Sequence, residues 1–167
     1  MKSLNKAVAV SLAGFLISAT LALADVAVGQ PFPKLADFGL IGSLPDQSGH
    51  VVLVDFWATW CAPCRSSLPV YGALQGEFGE RGLVIIGVSV DRDENPYKRF
   101  VERFAPPFTI VRDAEQKLVS AVHPPAMPTC YLIDRHGVVQ AVYKGFHGGS
   151  TTRQLREEII KLLEEKS

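Results

Sequence analysis

Val51-Val52-Leu53-Val54-Asp55-Phe56-Trp57-Ala58-Thr59-Trp60-Cys61-Ala62-Pro63-Cys64 is the stretch that decides how the rest of the chain is read. Residues 51–56 are apolar apart from Asp55, the pattern of a strand buried on both faces of a sheet. Arg65-Ser66-Ser67-Leu68-Pro69 then opens a helix, so the two cysteines stand where a strand turns into a helix. A cysteine in the first helical turn meets unpaired backbone N–H groups and the positive end of the helix dipole. Both favour thiolate, so an exposed Cys61 should ionise below the free-thiol value of ~8.5. Cys64, one turn further in, is the natural resolving thiol. Pro63 removes an N–H that would be unpaired there in any case and presets the helical φ. Such a pair passes electrons to or from another protein's disulfide through a mixed disulfide on Cys61.

Two plainer uses of the pair compete with this one. A zinc site needs about four ligands, but there is no second CxxC, and His50, His123, His136 and His147 are scattered. A structural disulfide would close too small a loop to stabilise much, and the chain's three cysteines are an odd count. Covalent haem would require His directly after Cys64, where Arg65 stands.

Working outward, Lys2 and Lys6 precede an apolar run, 7–23, that ends in Ala22-Leu23-Ala24. This is a secretory signal with cleavage expected after Ala24, an uncleaved membrane anchor being the alternative. Residues 1–24 are thus set apart from one domain, 25–167. Of 17 basic residues the signal holds two, leaving 15 against 17 acidic ones, a net charge of −2. That balance favours neither nucleic acid nor an anionic membrane as partner. A composition of 47% hydrophobic and 20% charged residues is that of an ordinary globular protein.

Residues 25–50, rich in Gly, Pro and Ser, read as an entry segment with one or two irregular edge strands. Leu68, Tyr71, Leu74 and Phe78 give a helix over 62–78 its apolar face; Pro69 should kink it, and Gly79 and Gly82 end it. A second buried strand covers 83–90. A polar loop, 91–96, leads to a helix capped by Asn95 and opening at Pro96. Pro106-Pro107 stops that helix before a strand at 108–111. A helix over 115–122 follows, then a strand from Cys130 to Asp134, a turn at 135–137 and a hairpin partner at 138–143. A flexible hinge, 145–149, precedes a last helix with a Thr151/Gln154 capping box and a core face of Leu155, Ile159, Leu162 and Leu163. The fold class is α/β, a mixed central sheet flanked by helices.

The run 54–64, Pro69 in the first helix and Met127-Pro128-Thr129 before the hairpin together resemble the thioredoxin superfamily. The "FWATWCAPC" stretch, the secretory signal and the extra segment 91–111 look most like its TlpA/ResA/DsbE branch of thiol–disulfide oxidoreductases. The resemblance implies a thioredoxin-like three-layer fold with an αβ insertion and an N-terminal strand extension. It makes Cys61 the attacking thiol, Cys64 the resolving one and Pro128 a cis-proline beside the sulfurs. Trp60, Pro63, Met127, Pro128 and Thr129 would then contact the substrate, although a tryptophan such as Trp60 can also be core filler. Asp55 falls where thioredoxins keep a buried acid near the resolving cysteine. Burial would raise its pKa and suit it as a general base for Cys64; the alternative is a strand-end carboxylate bonded to a turn. Ser67 stands where ResA-like proteins carry an acid, which sets a dedicated role in cytochrome c maturation apart from the rest of the likeness. Cys130 reads as an apolar core thiol, with a regulatory partner for the active pair as the alternative.

The function implied is an exported, periplasmic oxidoreductase that reduces disulfides of client proteins, with apocytochrome c as one candidate client. It needs no cofactor and no metal, and it is recharged by a membrane electron donor of the DsbD/CcdA type; a monomer is expected. Ala62-Pro63 between the cysteines, rather than a Pro-His pair, argues for a reductant, because a histidine there would stabilise thiolate and make the disulfide more oxidising. The alternatives are a disulfide-donating oxidase and a Cu(I)-binding chaperone module on the same thiols. A peroxiredoxin would want Thr and Pro where Ala58 and Val54 stand.

Overall fold

The computed structural model describes residues 26–165, so the expected secretory signal lies outside the described residues. Among those residues no helix is long and apolar enough to cross a membrane. The apolar run becomes β1 (Val51–Trp57), with all seven residues buried, Asp55 included. It is the middle strand of a five-stranded sheet. After it come α1 (Ala62–Phe78), β2 (Leu83–Ser89), α2 (Glu94–Phe104), β3 (Thr109–Arg112), α3 (Lys117–Val122), β4 (Thr129–Ile133), β5 (Val139–Lys144) and α4 (Gly149–Glu164). The strand order is β3-β2-β1-β4-β5. β1, β2 and β3 are mutually parallel, which requires the helical crossovers α1 and α2, while β4 and β5 run antiparallel to their neighbours. A mixed sheet with flanking helices, including the αβ insertion α2–β3, is the architecture the sequence implies.

Two registers position the site. In the β1–β2 pair Asp55 lies opposite Gly87 and Trp57 opposite Ser89; in the β1–β4 pair Asp55 lies opposite Cys130. Gly87 is there for room, since a Cβ on it would sit 3.2 Å from the Trp57 indole nitrogen. Trp57 is itself fully buried under an aromatic ridge on α2, with ring centroids 5.1 Å from Phe100 and 6.4 Å from Tyr97. The insertion is therefore packed onto the end of β1 that leads into the cysteine loop.

Several local expectations are corrected. Residues 26–50 form no strand. A 3-10 turn (Leu35–Phe38) separates two single bridges on opposite edges of the sheet, Pro31 to Val138 and Ile41 to Arg112. Pro31 and Pro33 leave too few N–H groups for a ladder, and the segment blunts both edges instead. α2 starts earlier than expected, because Asp93 rather than Asn95 caps it by accepting from the Asn95 N–H at 2.9 Å. α3 starts later, at Lys117, because the buried Asp113 carboxylate accepts from the N–H groups of Lys117 and Val119 at 3.0 and 2.8 Å. There is no Thr151/Gln154 capping box: α4 opens from Gly148, and the Thr151 hydroxyl accepts from the His147 N–H at 3.1 Å. At the foot of the supposed hinge, the Gly145 N–H donates to the Pro128 carbonyl at 2.7 Å. α1, by contrast, has the bounds expected, Ala62–Phe78, with Pro69 inside it.

Candidate active site

Cys61 is the N-cap of α1, and its sulfur accepts from the Cys64 N–H at 3.2 Å. The two cysteines are joined as a disulfide. Cys61 is 5% exposed and Cys64 not at all, so a partner sulfur reaches Cys61 first. The outer thiol is more sheltered than a simple first-turn cysteine would be. Around it Ala62 and Pro63 are exposed, and Trp60 is 68% exposed. Trp60 is therefore not core filler; its neighbour in sequence, Trp57, has that place.

The Met127–Pro128 peptide is cis, as the resemblance implies. Met127 is half-buried and Pro128 buried. Thr129 does not offer its side chain to a substrate. It is fully buried, and its hydroxyl donates to the Ala126 carbonyl at 2.8 Å, closing the turn that carries the cis-proline. One open cleft borders Trp60 and another borders Met127. One, of about 500 Å³, is bordered by Thr59, Trp60, Asp91, Pro96 and Gln116. The other, of about 370 Å³, is bordered by His123, Pro124, Ala126 and Met127. Open, shallow clefts of this kind suit a polypeptide better than a small molecule, which prefers a deep concave pocket.

The loop from β1 to α1 is held from below by Asp91, buried just past the end of β2. Its carboxylate accepts from the Thr59 N–H at 3.0 Å, the Thr59 hydroxyl at 2.8 Å and the Ser89 hydroxyl at 2.7 Å. The parallel register makes this contact possible: with Trp57 opposite Ser89, the residues two further on in each chain also meet.

Asp55 is fully buried. One oxygen, Oδ1, accepts from the Tyr71 hydroxyl at 3.0 Å, and the other, Oδ2, has no partner among the described residues. Burial holds its carboxyl well above the usual carboxylate range, with the Tyr71 hydrogen bond working weakly the other way. The alternative of a strand-end carboxylate bonded to a turn is thereby removed. Tyr71 also meets the side chains of Ser67 and Cys130, and Ser67 donates to the Cys64 carbonyl at 2.9 Å. Burial, then the Asp55 charge, push the Cys130 thiol up, so it is an un-ionised core thiol.

Tyr71, Ser67, Thr59 and Asp91 were absent from the residues expected to build the site. Ser67 could have been found by counting along α1 from Cys64: the position three residues on shares its buried face, and serine is polar where apolar side chains are the rule.

A profile of the AhpC/TSA family matches residues 28–142, more than half of the chain. The thiol-disulfide oxidoreductase ResA of Geobacillus kaustophilus is 33% identical over 123 residues, spanning 72% of this chain and 71% of the relative. Its counterpart in Halalkalibacterium halodurans is 35% identical over 120 residues, 72% of this chain and 66% of the relative. The chain belongs to the AhpC/TSA family, in its ResA-like thiol–disulfide oxidoreductase branch. Among solved structures, a Chlorobium tepidum protein assigned as the thiol:disulfide interchange protein DsbE superposes with a TM-score of 0.76 at 30% identity, covering 83% of this chain and 99% of that one. The thioredoxin-like three-layer fold and the oxidoreductase class follow for this AhpC/TSA protein. The Cys61–Cys64 pair is the redox centre that fits them.

Proposed function

We propose that this chain is exported and reduces disulfides of client proteins outside the cytoplasm. Cys61 attacks the client sulfur, and Cys64 resolves the mixed disulfide by attacking Cys61. The client thiol leaves, and the chain retains the Cys61–Cys64 disulfide until a membrane dithiol donor of the DsbD/CcdA type reduces it. The client lies along Trp60, Pro63 and the Met127–Pro128 segment. Asp55 takes the Cys64 proton as the sulfur attacks. The observation that carries this reading is the asymmetry of the pair: a helix-capping sulfur at the surface edge and a fully buried one behind it. The expected secretory signal, the Ala62-Pro63 dipeptide and the ResA relatives support direction and compartment.

The first experiment is the equilibrium reduction potential of the pair against glutathione, with Cys130 replaced by Ser. A value near ~−270 mV, that of thioredoxin, is expected; a value near ~−120 mV would make the protein a disulfide donor and reverse the proposal. Client identity is then read by Cys64→Ser, which should trap mixed disulfides on Cys61 in the extracytoplasmic fraction.

A further inference from the structure

Tyr71 is a phenol on the buried face of α1, with Leu68, Leu74 and Phe78 beside it and Cys64 and Ser67 towards the helix start. It is 2% exposed and is backed by Phe108 in an edge-on contact, ring centroids 6.5 Å apart. Its hydroxyl reaches across to β1 and donates to Oδ1 of Asp55. A carboxyl has two oxygens. With Oδ1 engaged as an acceptor, the proton of the neutral acid resides on Oδ2, the oxygen without a partner. The Tyr71 bond survives in both protonation states, because Oδ1 accepts in each. The carboxyl therefore need not turn when it gains or loses its proton.

We propose that Tyr71 is the positioning residue of the exchange reaction: it fixes Oδ1 of Asp55 so that Oδ2 alone takes up and returns the Cys64 proton. This role presupposes Asp55 as the proton carrier proposed above. In the step concerned, the Cys64 thiol loses its proton to Oδ2 and its sulfur bonds to Cys61. The Cys61–client S–S bond breaks, and the client sulfur leaves with the electron pair and is protonated in turn. The chain's two cysteines are oxidised by two electrons, and the client disulfide is reduced by two.

The groups facing Asp55 are few. α1 brings Tyr71, and β4 brings Cys130, with Tyr143 of β5 beyond it; β2 brings only Gly87. Tyr143, raised to about 12 by burial first, is uncharged at neutral pH, and Cys130 is pushed up by burial. The Tyr71 hydrogen bond is thus the one contact in this set that favours the Asp55 carboxylate. Removing it should move proton uptake by Asp55 to higher pH.

The test uses the reduced full chain and an aryl disulfide that releases one coloured thiolate when Cys61 attacks and a second when Cys64 resolves. In the natural protein the second phase should rise with pH along a limb set by Asp55. Tyr71→Phe keeps the ring and should move that limb up by about one pH unit, making the second phase up to ~10-fold slower below it. The first phase should not change. Asp55→Asn should abolish the limb. If Asp55→Asn abolishes it and Tyr71→Phe leaves it in place, Tyr71 is only structural and the proposal fails while the Asp55 reading stands. If both phases slow together in Tyr71→Phe, the effect is on the fold, and the proposal fails equally. If Asp55→Asn leaves the limb intact, the Asp55 reading itself falls. The carbon-13 shift of the Asp55 carboxyl, titrated in Tyr71→Phe, should move in the same direction as the kinetic limb.

Discussion

Asp55 in β1 and Asp91 in the loop just past β2 are 0% and 3% exposed and serve the same cysteine loop, yet their surroundings differ. The Asp91 carboxylate receives three hydrogen bonds, two from Thr59 and one from Ser89. Asp55 receives one, and its second oxygen has none. A buried carboxyl group is tolerated where donors replace the lost water. Asp91 meets that condition and works as a fastener. Asp55 does not, and a buried carboxyl with a free oxygen is a group that can change its protonation. Identical residue types at similar burial thus divide by hydrogen-bond count into a structural role and a chemical one.

The largest effect should come from breaking the satisfied member. Asp91→Ala leaves the Thr59 N–H, the Thr59 hydroxyl and the Ser89 hydroxyl without their acceptor inside the fold. A loss of about 3 kcal/mol is expected in urea unfolding. The pH profile of the cysteine exchange should keep its shape even where its amplitude falls, because no proton carrier has been touched. A changed profile with unchanged stability would exchange the two roles.

Asp55→Asn should act in the opposite sense. Above ~pH 3.9 the unfolded chain gives up this proton while the folded chain retains it, so the folded state binds the extra proton. The stability this group allows is fully present below that pH. It declines by about 1.4 kcal/mol per pH unit as pH rises, until the folded carboxyl ionises, and is level beyond. Asparagine removes that slope. The variant should therefore be more stable than the natural protein at neutral pH, on the order of 1–2 kcal/mol after allowing for one unpaired amide group, with little or no advantage near pH 4. Unfolding curves across that range check it; parallel curves for the two proteins would show that Asp55 is not perturbed by its burial.

How much of this could be read from residues alone follows from the kind of information each feature needs. β1 and α1 were legible because a continuous apolar run and a helix-opening CxxC are local patterns, and Asp55 stood out as the one charge in a buried strand. Tyr71 did not stand out, because at helical spacing it fits the apolar face as well as Leu68 or Leu74, and only the approach of α1 to β1 shows its hydroxyl meeting Asp55. Asp91 lies in the loop its sequence implies, but its bond to Thr59 is not legible there, because that contact is defined by β1–β2 register, which periodicity within either strand does not contain. The errors at the starts of α2, α3 and α4 share a cause: several Asp, Asn, Thr and Gly residues compete to cap each helix, and tertiary contacts choose among them. Residues 26–50 misled for a similar reason, since short apolar pieces suit a strand until the prolines and the two distant sheet edges are placed.

The smallest effect distinguishes bystanders from members of the Asp55 cluster. Cys130 lies opposite Asp55 across the β1–β4 pair, meets Tyr71, and is free and buried. Its thiol is pushed up by burial and by the Asp55 charge, so at neutral pH it carries no charge that could shift its neighbours. Cys130→Ala should then cost only the packing of one sulfur atom, about 1 kcal/mol. The pH limb of the resolving step should stay where the natural protein has it. The native chain should still release two coloured thiolates from the aryl disulfide, since the buried third thiol does not react before unfolding. A limb displaced in Cys130→Ala as far as in Tyr71→Phe would place the thiol in the proton path, and the contrast with Asp91 would then extend to a three-residue cluster of Asp55, Tyr71 and Cys130.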